Sequence, residues 1–189
     1  MPTFITADLH LNDPEIIALC ARPHKSVEHG VKRLVADANM RAKKGDTLIH
    51  VGDFAHKEAG KHPRDLIGLF DARLIFVEGN HDGNNGVSCD CDYMVINCGG
   101  LKALVTHYPT FNPKNEVIYG AKWDFLRDNA HHLADFAICG HVHTAWNWKV
   151  DEHNGLINVN VGVDVNKYRP LTLPEVANIA RRAAKTLGR

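Results

Sequence analysis

Neither sign of charge is in surplus in this sequence: Lys plus Arg and Asp plus Glu number 22 each, so the formal net charge is zero. That balance argues against an electrostatic grip on long DNA or RNA, which needs many uncompensated basic groups. Small anionic substrates stay open, because bound metal ions can bring the positive charge themselves. A long apolar run is also missing. Met1-Pro2-Thr3-Phe4 leads straight into a strand-like stretch with no basic segment before it, so neither a signal peptide nor a membrane span is expected. The five cysteines, an odd number at scattered positions, do not make a disulfide framework. Cys89-Asp90-Cys91 lacks the spacing and the second pair of a zinc clip. A reducing cytoplasm is the expected setting. No internal repeat, low-complexity tract or linker divides the chain. With 189 residues, 44% apolar and 23% charged, it reads as one domain over 1–189 with a substantial core.

The pattern of apolar residues predicts the order of elements. Thr3 to Ala7 reads as a strand, Ser26 to Lys44 as a helix, Thr47 to Val51 as a strand, Pro63 to Phe70 as a short helix and Leu74 to Glu78 as a strand. In the long helix Val27, Val31, Leu34, Val35 and Ala38 recur at helical spacing, Ser26 is a suitable N-cap and Gly45 a stop. This alternation predicts parallel neighbouring strands with helices packed over them. Beyond Asn84-Asn85-Gly86 the character changes. Tyr93 to Cys98, Gly100 to Thr106, Phe136 to Cys139, Ala145 to Val150 and Leu156 to Val163 are strand candidates, with a tight hairpin at Gly99-Gly100. Helices are expected over 119–134 and 174–187. The fold class is therefore layered α/β, a two-sheet sandwich flanked by helices.

Thirteen histidines are many for this length. His24, His29, His56, His62, His131, His132 and His153 lie in polar or turn-like surroundings and read as solvated. His50, inside Leu48-Ile49-His50-Val51, reads as a hydrogen-bonded strand residue. Five short segments are different: Asp8-Leu9-His10, Gly52-Asp53, Gly79-Asn80-His81-Asp82, His107 and Gly140-His141-Val142-His143. Each ends a short apolar run with a metal-binding side chain. Ligand crevices of α/β sheets lie beyond the carboxyl ends of strands, so these residues should converge. Carboxylate, imidazole and amide oxygen together suit Mn, Fe, Zn, Ni or Co better than a thiolate-seeking ion or a calcium cage. A metal pair needs a bridging anion, and Asp53 is the candidate. Gly52, Gly79 and Gly140 would let the backbone turn where a side chain would crowd the metals.

In this order the segments resemble the calcineurin-like metallophosphoesterase superfamily, whose pattern is D-x-H, G-D, G-N-H-[DE], H and G-H-x-H. The resemblance spans positions 8 to 143 and fills every ligand position. It implies two divalent ions, Mn foremost, one held by Asp8, His10, Asp53 and His143, the other by Asp53, Asn80, His107 and His141. His81 would contact phosphoryl oxygens and protonate the leaving group, with Asp82 orienting its ring. The implied reaction is in-line attack of a metal-bridging hydroxide on phosphorus. Cys20-Ala21-Arg22-Pro23, Asn160-Val161-Gly162-Val163-Asp164 and Tyr168-Arg169-Pro170-Leu171 resemble a compact bacterial and phage-type branch. Many relatives continue after the first motif with Gly-His, whereas this chain has Asn12-Asp13, which makes substrate choice less transferable than chemistry.

Substrate contacts are open at this level. Arg22 could grip a phosphate oxygen bidentately or form a surface ion pair. Tyr108 could border the cleft or pack beneath it. Tyr119 and Trp123 could stack on a base or serve a helix, and Trp146 and Trp148 read as packing residues sharing a strand face. Short loops favour small phosphodiesters, with cyclic or short nucleotides first among them. Phosphomonoesters, including a protein-phosphatase-like activity, form the alternative. The retromer complex contains a scaffold protein of this fold, but degenerate copies lose the catalytic His or ligands, and here all are present.

Overall fold

Alternation of large apolar residues along the first strands decides how the layers stack. In the computed structural model, which describes residues 1–57, 62–111 and 120–189, β1 (Thr3–Thr6), β2 (Thr47–Val51) and β3 (Arg73–Val77) pair in parallel, Phe4 facing Leu48 and Leu48 facing Leu74. Phe4, Leu48 and Phe76 turn to one side, where they meet Phe54, Phe70 and the helix residues Leu34, Ala38 and Leu66. Ile5, Ile49, Val51 and Val77 turn to the other, into a core shared with the second sheet. That period of two is what a strand buried on both faces requires.

Between β1 and β2 lie α1 (Glu15–Leu19) and α2 (Val27–Arg41), and α3 (Pro63–Ile67) precedes β3. The Ser26 hydroxyl accepts from His29 N–H and so caps α2. A reciprocal His62–Asp65 pair caps α3, so His62 has a structural task. A single turn, α4 (Asp82–Asn85), follows β3.

The second sheet runs β4 (Tyr93–Cys98), β5 (Leu101–Thr106), β6 (Phe136–Cys139), β8 (Ile157–Asn160) and β7 (Trp148–Val150), in that spatial order. Gly99 and Gly100 both take positive φ, 62° and 87°, in the two-residue turn that joins β4 to β5, the conformation a tight hairpin needs. β5, β6 and β8 are parallel to one another. Their inner residues Ala103, Val105, Phe136, Ile138, Ile157 and Val159 complete the shared core. On the outer side Leu104 meets Leu126, Ala130 and Ala134 of α5 (Gly120–Leu133) and its end. A two-residue strand, β9 (Leu171–Thr172), pairs antiparallel with β1 and leads into α6 (Leu173–Thr186), whose Val176, Ala177, Ala180 and Ala183 close the core. A Thr172–Glu175 capping box starts that helix.

The two-sheet α/β architecture matches the expectation from sequence. Differences are local. The strand expected over 145–150 begins only at Trp148, because the Asn160 amide donates to the carbonyls of His143 and Trp146 at 2.9 Å and holds that segment as a loop. Trp146 therefore shares no strand face with Trp148; it packs on Phe111, ring centroids 5.9 Å apart. The strand expected to reach Val163 ends at Asn160, and Val163–Val165 forms a single 3-10 turn. His50 is fully buried among Phe54 and Phe76 with neither ring nitrogen hydrogen-bonded, so the hydrogen bond expected of it is not there. Burial pulls its pKa down to about 4, which keeps the ring neutral. All five cysteines are free thiols. No helix among the described residues is long and apolar enough to cross a membrane.

Candidate metal centre

The five motif segments end on one edge of the sandwich, where the strands of both sheets finish. Asp8 and His10 follow β1, Asp53 follows β2, Asn80 follows β3, His107 follows β5, and His141 and His143 follow β6. Backbone links stitch this edge. Asp8 N–H donates to Gly52 carbonyl at 3.1 Å, and Val161 N–H to Cys139 carbonyl at 2.8 Å.

Backbone conformation there is unusual. Asp8, His10, Asp53, His141 and His143 all have positive φ, between 45° and 69°. Residues with a Cβ rarely take this left-handed conformation, and such strain costs on the order of 1–3 kcal/mol per residue. Five such residues at one edge indicate that packing has been spent on aiming side chains inward. Gly52, at φ 81°, and Gly79 make the close approach possible. A Cβ on Gly52 would land on the His107 ring, and one on Gly79 would land on the Asp53 carboxylate.

The side chains form two neighbouring groups. Asp8, His10 and His143 can bring one ligand atom each within 4.8 Å of one another, and so can Asp8, Asp53 and His107. The Asp53 Oδ2 atom lies 3.4 Å from His10 Nε2 and 3.3 Å from His107 Nε2, between one imidazole of each group. On the far side Asn80 Oδ1 is 3.1 Å from both His107 Nε2 and His141 Nδ1. The imidazoles pair accordingly: His10 with His143 at 5.1 Å between centroids, His107 with His141 at 5.3 Å.

Electrostatics follow from burial. Asp8 and His107 are wholly inaccessible and Asp53 nearly so. Burial raises the Asp8 carboxyl despite three nearby histidines. For Asp53 burial works in the same direction, but the charge of His107 and the close approach of the His10 and His107 rings hold it well below its ordinary value. The two imidazoles respond in kind. Burial works to lower both, yet the carboxylates raise each to about 9, with Asp13 and Asp53 acting on His10, and Asp53 and Asp8 on His107. The cluster thus draws positive charge to its centre.

These residues fit divalent ions. His10 Nε2 is buried and has no hydrogen-bond partner, although it faces a carboxylate. Such an orphaned donor atom is costly unless something else meets it. The mixture of carboxylate, imidazole and amide oxygen suits borderline metals.

The sequence matches the calcineurin-like phosphoesterase superfamily domain over residues 1–170. The chain belongs to that superfamily. An uncharacterised protein of Methanocaldococcus jannaschii is 25% identical over 184 residues, covering 95% of this chain and 91% of that one. A solved protein of unknown function from Aquifex aeolicus is 24% identical, with a TM-score of 0.71 over 94% of this chain and 98% of its own, and it shares the fold.

Within this calcineurin-like domain, two residues have other partners than the sequence suggested. The Arg22 guanidinium is not turned to a phosphate. It is buried, with Nε and Nη2 donating to both oxygens of Asp164 at 2.8 and 3.0 Å, Nη1 to Leu9 carbonyl at 2.8 Å and Nη2 to Asp8 carbonyl at 2.7 Å. Asp82 does not orient the His81 ring. Its carboxylate accepts from the backbone N–H groups of Asp53, Phe54 and Gly79 at 2.8 to 2.9 Å, which fixes the ends of β2 and β3 against each other. His81 itself is exposed, edge-on to His10 at 5.3 Å, with its N–H donating to Asp53 Oδ1 at 2.9 Å. Tyr108 is half-buried with its ring 5.0 Å from those of His107 and His141. Tyr119 and the Trp123 side chain lie outside the described residues.

Two carboxylates were not singled out from sequence as members of the centre. Asp164, in the Asn160–Asp164 segment, accepts from His143 Nδ1 at 3.0 Å. Asp13 lies 3.4 Å from His10 Nδ1. The odd Asn12-Asp13 pair was the available signal for the second; nothing local marked Asp164 as facing a histidine 21 residues earlier.

Proposed function

We propose that this chain hydrolyses small phosphodiesters with a pair of divalent ions, by direct in-line displacement at phosphorus and without a covalent phosphoenzyme. The observation that carries the reading is Asp53 Oδ2, which lies 3.4 Å from one imidazole nitrogen and 3.3 Å from another. A carboxylate oxygen between two donor groups is what a shared ligand of two ions requires. Asp8, His10, Asp53 and His143 would hold one ion, and Asp53, Asn80, His107 and His141 the other. The ions, Mn first, would supply Lewis acidity at the phosphoryl oxygens and lower the pKa of water.

The protein's own groups divide the remaining work. His81 stands exposed at the opening while its backbone is tied to Asp53, so its ring can reach a leaving oxygen and deliver a proton, a task that suits imidazole near neutral pH. Asp82 supports this at one remove, by holding the peptide groups of Asp53 and Gly79. Tyr108 borders the His107–His141 side and would contact an ester substituent. Arg22 is assigned no substrate contact. Balanced charge favours a small ligand over a long nucleic acid, and cyclic or short nucleotides are the class to try first.

Metal-stripped protein with Mn added back should hydrolyse bis(p-nitrophenyl) phosphate faster than p-nitrophenyl phosphate. Preference for the monoester would make the chain a phosphomonoesterase instead. No turnover of either ester with Mn, Fe, Zn, Ni or Co would sink the enzymatic reading and bring forward a non-catalytic scaffold of the same fold.

A further inference from the structure

The outward-facing nitrogens of the clustered imidazoles have unequal partners. On His143, Nδ1 is 3.0 Å from Asp164 Oδ2, a carboxylate whose side chain is wholly buried. The same carboxylate also accepts from Arg22 Nε and Nη2, at 2.8 and 3.0 Å. On His10, Nδ1 is 3.4 Å from Asp13 Oδ2. On His107, by contrast, Nδ1 meets the neutral carbonyl of Val51 at 2.9 Å.

A carboxylate behind a metal-binding histidine does two things. It fixes the proton on the rear nitrogen, leaving the front lone pair free, and it strengthens that lone pair as a donor. His10 and His143, the two imidazoles of the group Asp8, His10 and His143, are both backed in this way. That group is also the better braced. Arg22 joins Asp164 to the carbonyls of Asp8 and Leu9, so one guanidinium ties the His143 support to the backbone between the other two ligands. Less ordering is then left to be done when an ion arrives.

We infer that Asp13 and Asp164 are positioning residues that make the Asp8–His10–His143 position the tighter of two divalent-ion positions, and the first to fill. The inference rests on the metal-centre reading but not on any ester being turned over. It also gives Asn12-Asp13 a purpose, since the residue in the second place supports His10.

The test is stepwise calorimetric titration of zinc into the chelator-stripped full chain, beside nitrogen-edited NMR of the zinc-loaded protein. Two unequal steps are expected. D13N and D164N should each weaken the tighter step about 10- to 100-fold and move the weaker one by much less. In the wild type the Nδ1–H protons of His10 and His143 should exchange slowly with water, and D13N should lose that protection at His10 alone. D164N also strips Arg22 of its counter-charge, so D13N, which touches neither residue, decides the matter if D164N does not fold. Two equal steps, a D13N effect confined to the weaker step, or His10 bound through Nδ1 would overturn the inference while leaving a metal-dependent esterase intact. Unequal steps with no hydrolysis would do the reverse. Absence of zinc binding would end both.

Discussion

The two sheets bring different chemistry to the same edge. Among the motif residues, the first contributes Asp8, His10, Asp53 and Asn80, and so both motif carboxylates that face the cluster; the second contributes His107, His141 and His143, imidazoles only. Neither set could be buried alone. Asp8 and Asp53 need opposing charge, and they find it across the interface. His107 Nε2 lies 3.3 Å from Asp53 Oδ2, and His141 N–H donates to both Asp8 oxygens at 3.0 and 3.1 Å. The sheet faces are held together by an ordinary apolar core, but this edge is held by complementary charge that a metal pair would complete. One group therefore stands at the join, and the variants that touch it should be the most damaging.

Removing that group is the strongest way to break the complementarity. D53N takes away the negative charge between His10 and His107 while keeping the side chain's shape. Hydrolysis of either nitrophenyl ester should fall to the uncatalysed background, and the two metal-binding steps should lose their coupling in a calorimetric titration. An active D53N enzyme would mean that the two donor groups are not joined through this carboxylate.

Next in size is H81A, which tests whether the first sheet also supplies a group that acts on substrate alone. Turnover should drop about 10²- to 10⁴-fold, with metal stoichiometry unchanged. Loss of metal together with activity would place His81 among the ligands.

Arg22 belongs to the bracing of the join. Its ion pair with Asp164 has almost no exposure on either side chain, and removing one partner of such a pair leaves a buried charge uncompensated. R22M should cost about 3–5 kcal/mol of stability, read as a lower denaturant midpoint in the metal-free protein. A loss of activity with unchanged stability would return Arg22 to the substrate side and contradict the geometry of its four donor bonds.

What was legible in the sequence divides along similar lines. The candidate ligand segments stood out because each ends an apolar run at a strand terminus, and strand termini gather in space. The α2 helix was legible through its spacing and its Ser26 cap. What could not be read were interactions set by tertiary placement. Arg22 lies on a loop at the metal side and Asp82 ends the Gly79–Asp82 motif, so loop position suggested a phosphate for the first and the family resemblance a histidine ring for the second. Their partners come from other elements instead, Asp164 across 142 residues and Asp53 across 29. Short pieces were missed for a related reason. β9, only two residues long, exists because β1 offers an open edge, and α1 has no side-chain cap to announce it. The stretch 145–147 looked like a strand, but the Asn160 amide holds the carbonyls of His143 and Trp146 and keeps it a loop.

The smallest expected effect sharpens the comparison through pH. In the metal-free protein His10 and His107 titrate near 9, above the ordinary 6.5. Protonated imidazoles facing Asp53 therefore stabilise the fold fully below about pH 6.5, and that contribution is lost as pH rises through about 9. Ions need the same nitrogens unprotonated, so metal binding must release those protons and should tighten over the same interval. Melting temperature with a chelator should fall between pH 6.5 and 9 while the increment produced by zinc grows. At a free zinc concentration about 100 times the dissociation constant the increment is about 2.7 kcal/mol, or roughly 5–10 °C for a chain of this size. If the increment instead shrank as pH rose, the charge now drawn onto these two imidazoles would not be standing in for the metal pair, and the complementarity between the sheets would have another purpose.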